Sequence, residues 1–534
     1  MSNTRTFDPA LRDMQLTTVD LEPVSRERLN TRGEPPARHA VNLVAKGRVD
    51  TYITITDTGE VVAVNGHVDL GTGVRTAFSQ IVADELDVPL SRVRMVLGDT
   101  DKTPDQGPTT ASASIQSAAV PMRRAAAQVR RILLQRAAQA LRCPIDELSV
   151  ADGVVYQAGS TTGIPYQDLL KGERFELDVS ADVPLKNPKD YRYVGQSVPR
   201  VDIPAKVSGG LVFVHDFRLP GMLHARVVRP PYYGRDVGDM IGHSLVSVDT
   251  GSIAHIPGIV KTVVIGDFVA VVARREEHAI KAARLLKVEW RNPPPLVDLS
   301  DIEVVLRKAE STRRVLEEQG DVDHALESSS DTLQATYVWP YQMHGSIGPS
   351  CAVADFQDDK VTVWSGTQNP HFLHVDIMTL LDLPPEAVRI VRMDASGCYG
   401  RNCADDASAE AALLAREVGA PVRVQLMRAE EHAWEPKGTA QLMDVRGAVT
   451  GSDTLAYEFT NRYPSNNAPV LVLMQTGKQP ADPIVEHKGD RTAVPQFRLS
   501  DTRICVQDMA PVVRAAWMRG VSALPNVFAH ESFI

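Results

Sequence analysis

Three polar loops of this 534-residue chain share one design, in which a strand-like segment leads into a turn rich in glycine, serine or threonine and then into a helical segment. They are DLGTGVRT (69–76), GPTTASAS (107–114) and SGCYGRNCADD (396–406). Glycine lets the backbone approach a ligand closely, and a helix N-terminus presents unpaired N–H groups to a phosphate. Plain turns with N-caps have the same composition. The design predicts a mixed α+β fold with several candidate phosphate loops.

Hydrophobic periodicity places secondary structure around these loops. The alternating β-branched residues of 50–66 surround an Asp-Thr-Gly turn and predict a hairpin. Apolar residues spaced for one helical face predict a helix from Thr76 and a longer one from Pro121 to Arg142. In this acidic chain we expect the opposite face of the longer helix to be solvated. That face carries five arginines: Arg123, Arg124, Arg130, Arg131 and Arg136.

Changes in composition divide the chain into several segments. Clusters of proline, glycine and charge near residues 190 and 293 mark two connectors, and strands alternate with helices on either side of them. The predicted segments are an irregular lead-in (1–45), a segment with the first two loops (46–190), an α/β segment (191–295), a linker with a helical stretch (296–330) and a final strand–helix segment (331–534).

Charge and cysteine content exclude several classes of protein. The net charge of −10 argues against nucleic acid as a partner, and the longest apolar runs are too short to span a bilayer. The first residues lack a signal peptide, which predicts a cytoplasmic protein. Five scattered cysteines without a C-x-x-C pair encode neither an iron–sulfur cluster nor a c-type haem. Any redox cofactor must therefore be held without cysteine.

A further polar stretch follows a predicted strand at VWSGTQNPHF (363–372). Gln368 comes just after the strand end, where a side-chain amide can orient a ligand or can simply cap the next helix. His344 and His371 flank this region but have no third ligand at a useful spacing, so zinc is disfavoured.

Taken together, these stretches resemble the molybdenum-binding large subunit of the xanthine dehydrogenase/aldehyde oxidase family. The likeness is carried by GPTTASAS, by SGTQN (365–369), by GCYG (397–400) and by MRGVSALPNVFAHE (518–531). Residues 200–231 resemble the start of that family's α/β "hammerhead" domain. In most of the family the DLGTG and ASAS elements follow the GCYG and MRG elements, whereas here they come first. This order resembles that of the permuted subgroup, which includes the large subunits of nicotinate dehydrogenase and isoquinoline 1-oxidoreductase.

The resemblance implies a role for particular residues. Gln368 matches a glutamine that hydrogen-bonds an oxygen ligand of molybdenum, and Arg519 matches an arginine beside the metal; these two are the candidate catalytic residues. Tyr399 and Gly400 match a pair whose glycine amide faces the ligands of the metal. The residues that match loops holding the pterin and its phosphates are Gly71, Thr72, Gly73, Ala111, Ser112 and Ser114.

The resemblance also implies the chemistry. Such proteins bind molybdopterin, often as the cytosine dinucleotide, so that the pterin dithiolene holds the molybdenum and no protein cysteine is needed. The implied reaction is hydroxylation of an N-heteroaromatic substrate, such as nicotinate, at a carbon next to the ring nitrogen, with water as the oxygen source. Electrons then pass to [2Fe–2S] clusters on a separate small ferredoxin-like subunit, which implies a heterodimer.

The sequence departs from the family pattern at three places. Thr72 stands where glutamine is usual, and Cys403 stands where the xanthine enzymes have a substrate-binding glutamate, which makes purine less favoured as a substrate. The catalytic glutamate of a GxGEP loop has no counterpart near the end of the sequence, so we expect a fragment. Glu34, in GEPP, is a weak substitute, because no apolar helix follows it.

Three other interpretations stay open from the sequence. One is a non-catalytic or truncated scaffold that binds the pterin. Another is an aldehyde-oxidising member of the same family. The third is an unrelated nucleotide-binding α/β protein in which the loops coincide by chance.

Overall fold

The computed structural model describes residues 48–170, 172, 177–450 and 454–534, and within these residues the strands form five sheets. The predicted lead-in (1–45) and Glu34 lie outside the described residues. The mixed α+β prediction is confirmed, since helices and strands alternate through most of the described chain. No helix in the described ranges is long and apolar enough to cross a bilayer.

The first part of the chain forms a small α/β unit. Its elements are α1 (Val49–Tyr52), β1 (Ile53–Ile55), β2 (Val61–Asn65), α2 (Val74–Leu86), β3 (Val93–Leu97), α3 (Ala119–Leu141), β4 (Leu148–Ala151), β5 (Val154–Gln157), β6 (Gly163–Pro165), α4 (Tyr166–Leu170) and α5 (Ile203–Val207). The predicted hairpin is β1–β2, and α2 connects β2 to the parallel strand β3. Phe78 of α2 and Met122 and Val129 of α3 are fully buried against this sheet, because the apolar stripes of both helices face it.

The basic face of α3 is not the solvated surface that the sequence predicted. The Arg123 Nε donates to Glu85 Oε1 at 2.7 Å, and the Arg130 Nε donates to Asp87 Oδ2 at 2.6 Å. Both carboxylates lie at the C-terminal end of α2 and are buried. The prediction was wrong for these arginines, because α3 packs along α2 and turns them towards its acidic end.

The middle of the chain supplies most of the strands. Its elements are β7 (Leu223–Val228), β8 (Leu245–Asp249), β9 (Ile259–Ile265), β10 (Phe268–Ala273), α6 (Glu276–Leu285), β11 (Lys287–Trp290), α7 (Ile302–Lys308), β12 (Thr312–Gln319), α8 (Val322–Ser328), β13 (Thr332–Trp339), β14 (Cys351–Gln357), β15 (Lys360–Ser365), α9 (Pro370–Leu381), β16 (Val388–Arg392), α10 (Ala404–Val418) and β17 (Val422–Gln425).

Seven of these strands build the central sheet, in the order β16-β15-β14-β17-β7-β10-β9. Strands from the predicted α/β segment (191–295) thus pair with strands from the predicted final segment (331–534). The two groups of strands are joined where β17 pairs in parallel with β7. The helices α9 and α10 cover this sheet with an almost continuous apolar core. The domain boundaries stay a prediction, but the boundary at 295 does not separate two sheets.

The last part of the chain completes the fold with a second large sheet. Its elements are α11 (Arg428–Trp434), β18 (Gln441–Thr450), β19 (Thr454–Pro464), α12 (Leu471–Gln475), β20 (Asp501–Met509) and α13 (Ala523–Phe533). The five-stranded sheet has the order β12-β20-β19-β18-β13. β12 lies inside the predicted linker (296–330) and pairs antiparallel with β20. The predicted linker therefore contributes a strand to this sheet as well as helical structure.

The small α/β unit docks on the edge of the central sheet through the turn after β3. Thr100 N–H donates to Ile390 O at 3.0 Å, and Arg392 N–H donates to Gly98 O at 3.1 Å. A β-bridge between Asp99 and Val391 lies between these bonds. This contact brings the first two polar loops beside the loops that follow β15 and β16.

Candidate functional site

Gln368 lies where the polar loops meet. It follows β15 by three residues, is only 6% exposed, and precedes the N-cap of α9. Its backbone carbonyl accepts a hydrogen bond from Thr109 N–H, and its side-chain Nε2 donates back to Thr109 O, both at 3.1 Å. Its Oε1 accepts from Gly400 N–H, also at 3.1 Å. One side chain thus joins the second and third predicted loops, which lie far apart in sequence.

The Tyr399–Gly400 pair has a backbone that few other residues can adopt. Tyr399 has φ 60° and Gly400 has φ 138°. A Cβ on Gly400 would lie 1.8 Å from the carbonyl oxygen of Trp517, so glycine is required there for space as well as for conformation. Gly400 forms a β-bridge with Met518, and Arg519 N–H donates to Tyr399 O at 2.8 Å. The GCYG and MRG stretches are therefore held together by main-chain bonds.

Arg519 lies at the surface beside this pair. Its guanidinium carbon is 5.2 Å from the centre of the Tyr399 ring, within the range of a cation–π contact. Arg519 is exposed and Tyr399 is 37% exposed. The edge of the site therefore presents a positive charge stacked on an aromatic ring.

The loop 107–114 is held in an unusual conformation. Ala111 and Ser112 are consecutive non-glycine residues with positive φ, 58° and 57°. Such strain persists only where the surrounding structure imposes it, and it is concentrated at functional sites. One π-helical turn, Ser114–Ala118, follows directly. Ser114 Oγ lies 2.9 Å from Nδ1 of His67, in a hydrogen bond that fixes the loop to the end of β2.

The loop 69–73 is ordered by an acidic residue. The Asp69 carboxylate accepts hydrogen bonds from the N–H groups of Gly71, Gly73 and Arg75, at 2.8, 3.3 and 3.0 Å. The N-terminus of α2 is thus satisfied by Asp69 within the chain. Gly71 is exposed, as is Thr72 next to it, so contact of this loop with a cofactor stays a prediction.

The two cysteines of the third loop stay protonated at neutral pH. Burial raises the pKa of the Cys398 thiol to about 12, and burial also raises the pKa of the Cys403 thiol well above its ordinary value. The Cys398 thiol donates to Gly400 O at 2.8 Å. Cys398 therefore supports the backbone of the site.

Sequence reasoning missed several residues that fix these loops. The carbonyl oxygen of Thr109 accepts a hydrogen bond from Gln368 Nε2, and Nε2 of His344 lies 2.7 Å from the carbonyl oxygen of Trp517. His344 Nδ1 lies 3.6 Å from a carboxylate oxygen of Glu435, which is almost fully buried. Asp69 lies four residues before Gly73, the N-cap of α2, so the usual N-cap pattern did not indicate its role. The contact between His344 and Trp517 spans 173 residues and left no local signal.

Comparisons with known proteins show the family of the chain. The family described as "Molybdopterin cofactor-binding domain" matches residues 37–206 and 307–462. A nicotinate dehydrogenase subunit of Pseudomonas putida is 52% identical over 94% of this chain, which spans 42% of the length of that relative. The beta subunit of isoquinoline 1-oxidoreductase from Brevundimonas diminuta is 26% identical over 91% of this chain and 67% of its own length.

Solved structures show the same fold. The structure of aldehyde oxidoreductase from Desulfovibrio gigas covers 68% of this chain and 43% of its own chain, with a TM-score of 0.50. The sequence identity is 19%, so this match shows a likeness of fold alone. With the family matches, these findings confirm the resemblance seen in the sequence. The chain belongs to the molybdopterin-binding large subunits of the xanthine dehydrogenase family.

The residues present fit a bound molybdopterin. The main chain of Trp517 and Met518 crowds Gly400 and so fixes the backbone of the loop that the resemblance assigns to the ligands of the metal. Within the described ranges, both amide atoms of Asn369, next to Gln368, are buried without a hydrogen-bond partner. Buried polar atoms without partners are uncommon in folded proteins and point to a group that completes the site.

Proposed function

We propose that this chain forms the molybdopterin-binding part of a hydroxylase of N-heteroaromatic acids, with nicotinate as the leading substrate. The observation that carries the proposal is the 52% identity to the nicotinate dehydrogenase relative across 94% of the chain. The contact of Gln368 with Gly400 supports it, since these residues match the family pattern and lie together.

The site residues have distinct proposed roles. Gln368 Nε2 has a second hydrogen beyond the one that it donates to Thr109 O, and this N–H donates to the cofactor, while the Gly400 N–H, which donates to Gln368 Oε1, orients the amide. Ala111, Ser112 and Ser114, with Gly71, Thr72 and Gly73, surround the pterin and phosphates of the cofactor. When bound, the cofactor supplies the two-electron redox chemistry by which oxygen from water replaces a ring hydrogen. Arg519 holds a positive charge at the edge of the site, which favours an anionic ring substrate.

The proposal includes a partner and a form of the cofactor. The electrons released by the reaction need an acceptor, and we propose that they pass to a small [2Fe–2S] subunit. We propose the cytosine dinucleotide form of molybdopterin and a cytoplasmic location. The buried, protonated Cys403, where the xanthine enzymes have glutamate, disfavours purines.

The test is turnover by the protein purified with its small iron–sulfur partner in water enriched in ¹⁸O. Hydroxylated nicotinate carrying ¹⁸O is the expected product, with benzaldehyde and hypoxanthine as the competing substrates. Faster turnover of benzaldehyde would replace the heteroaromatic assignment with aldehyde oxidation. An unlabelled hydroxylated product would contradict water as the oxygen source.

A further inference from the structure

A basic cluster lies on one face of the central sheet, on strands β7 and β17. His224 and Arg226 are two residues apart on β7, and Arg423 of β17 is aligned with His224 in the parallel register. Side chains two residues apart on a strand, or opposite each other on paired strands, project to the same face. The imidazole and the two guanidiniums therefore share one side of the sheet.

The cluster is buried and only part of its donors are used: Arg423 NH2 donates to Gln425 Oε1, and Arg226 donates to Ala225 O and Glu276 Oε1. Arg226 is 2% exposed and Arg423 is 4% exposed. Among the residues that the structure describes, no hydrogen-bond partner meets Nε or NH1 of Arg423, Nε of Arg226 or Nδ1 of His224. Burying a charged N–H group without an acceptor is costly, and native proteins satisfy nearly all such groups. Donors from three side chains on one face need an acceptor.

The charges in the cluster are also unbalanced. Arg226 NH2 donates to Glu276 Oε1 at 2.7 Å, and exposed Arg218 adds a third guanidinium at the edge. Burial lowers the pKa of His224, and Arg423, Arg218 and Arg226 lower it further against the opposing effect of Glu276. Burial lowers the pKa of Arg218, and the carboxylates of Glu276 and Asp216 oppose this shift. Three guanidiniums thus face two carboxylates, which leaves a net positive charge.

Space is available next to the cluster. A cavity of about 340 Å³ lies between α6 and α11. Of the three cluster residues only Arg226 lines it, and its other charged lining residues are Arg229, Arg284 and Glu430. The sheet supplies its floor and the two helices its walls. A small ion can therefore reach the neighbourhood of Arg226.

We propose that Arg423, Arg226 and His224 bind a small inorganic oxyanion, phosphate or sulfate. Guanidinium N–H donors match oxyanion acceptors in geometry and charge. The anion satisfies the unused donors of the three side chains and offsets the excess positive charge, while Arg218 attracts it from solvent. The site uses none of the residues assigned to the pterin, so it does not depend on the proposed function.

Inorganic phosphate is the probe for this site. The melting temperature of the full chain is measured as phosphate replaces chloride at constant ionic strength. We expect a saturable rise for the wild-type protein and for Arg274→Gln, a nearby exposed arginine outside the cluster. Arg423→Gln should bind phosphate at least about tenfold more weakly, because its charge and its Nε and NH1 donors are lost. A saturable rise of the same midpoint in Arg423→Gln would overturn the proposal.

A second variant covers the case in which Arg423→Gln does not fold. Arg218 is exposed, and Arg218→Gln removes its charge at the edge together with two local hydrogen bonds from NH1 to His215 O and Phe217 O. The fold should survive, and the midpoint should rise about two- to fivefold. Broadening of the ³¹P resonance of phosphate by the wild-type protein, reduced in these variants, gives a direct readout. No saturable effect on the wild-type protein in either measurement would also overturn the proposal.

Discussion

Among the contacts that join the small α/β unit to the central sheet and its loops, two are built differently. At the first, which we call the docking contact, Arg389 forms a bidentate ion pair with Asp99, at 3.0 and 2.7 Å, beside the main-chain bonds of Thr100. At the second, the site contact, Gln368 joins Thr109 to Gly400 through three hydrogen bonds of 3.1 Å.

The difference lies in redundancy and strain. The docking contact combines a β-bridge, main-chain bonds and an ion pair, and its Gly98, with φ 64°, adopts that conformation without strain because it is glycine. Besides one main-chain bond from Thr109, the site contact relies on the Gln368 amide side chain, which lies between the strained loop at Ala111–Ser112 and the positive-φ pair Tyr399–Gly400. Assembly of the two parts therefore depends mainly on the docking contact, which leaves the strained contact available for ligand binding. Changes at the two contacts should separate stability from function.

The largest effect is expected for Gly400→Ala. The added Cβ would overlap the carbonyl of Trp517 at 1.8 Å, so the site contact must open. Molybdenum content of the purified protein should fall by at least about tenfold, as measured by elemental analysis. Gly419→Ala is the matched control, because Gly419 also has positive φ but has open space around its Cβ position. Normal molybdenum content in Gly400→Ala would contradict the assignment of this glycine.

Gln368→Ala should separate function from folding. Loss of the amide removes the proposed donor to the cofactor, and turnover should drop about 100-fold, the usual cost of a lost catalytic hydrogen-bond donor. The melting temperature should change little, since the docking contact remains. Gln357→Ala, an exposed glutamine at the end of β14, provides the control. Unchanged turnover would exclude Gln368 from the site.

Asp99→Ala should give the opposite result at the docking contact. Asp99 is buried, and Arg389 would lose a bidentate partner, which should cost about 2 kcal/mol of unfolding free energy. Turnover of the folded fraction should stay close to wild type. Glu277→Ala, which breaks an exposed pair with Arg275, should cost much less. Denaturant melts compare the two, and equal losses would contradict a structural role for Asp99.

The smallest effect concerns the pH dependence of the hydrogen bond between His67 and Ser114, which holds the strained loop of the site contact. Burial lowers the pKa of His67, which bonds Ser114, below the 6.5 of an exposed histidine. The unfolded chain thus takes up the proton first, and the stability that neutral His67 provides at higher pH is lost as pH falls below 6.5. In His67→Gln the melting temperature should therefore decline less steeply below pH 6.5 than in the wild-type protein. An equal slope in both proteins would show that His67 does not contribute to the pH dependence of stability.

The sequence predicted the α/β elements well where hydrophobic periodicity was strong. The helices α2 and α3 and the β1–β2 hairpin lie close to the predicted positions, because each helix has an apolar pattern that matches one buried face. The five-stranded sheet was largely missed, since β12 is polar, with Arg313 and Glu318 exposed, and its pairing with β20 is set by tertiary contacts.

The site was predicted by family motifs more than by local physics. The four stretches of the resemblance do come together around Gln368, which no spacing rule would indicate across 259 residues. The basic cluster at Arg423 was not predicted, because His224, Arg226 and Arg423 become neighbours only through the pairing of β7 with β17. Contacts that depend on sheet order were thus beyond the sequence alone.

The most direct test of the central claim is the molybdenum and nucleotide content of the purified protein. If the loops around Gln368 and Gly400 hold molybdopterin cytosine dinucleotide, acid release should give about one molybdenum and one CMP per chain. Folded protein without molybdenum or CMP, prepared in cells that make the cofactor, would contradict the account.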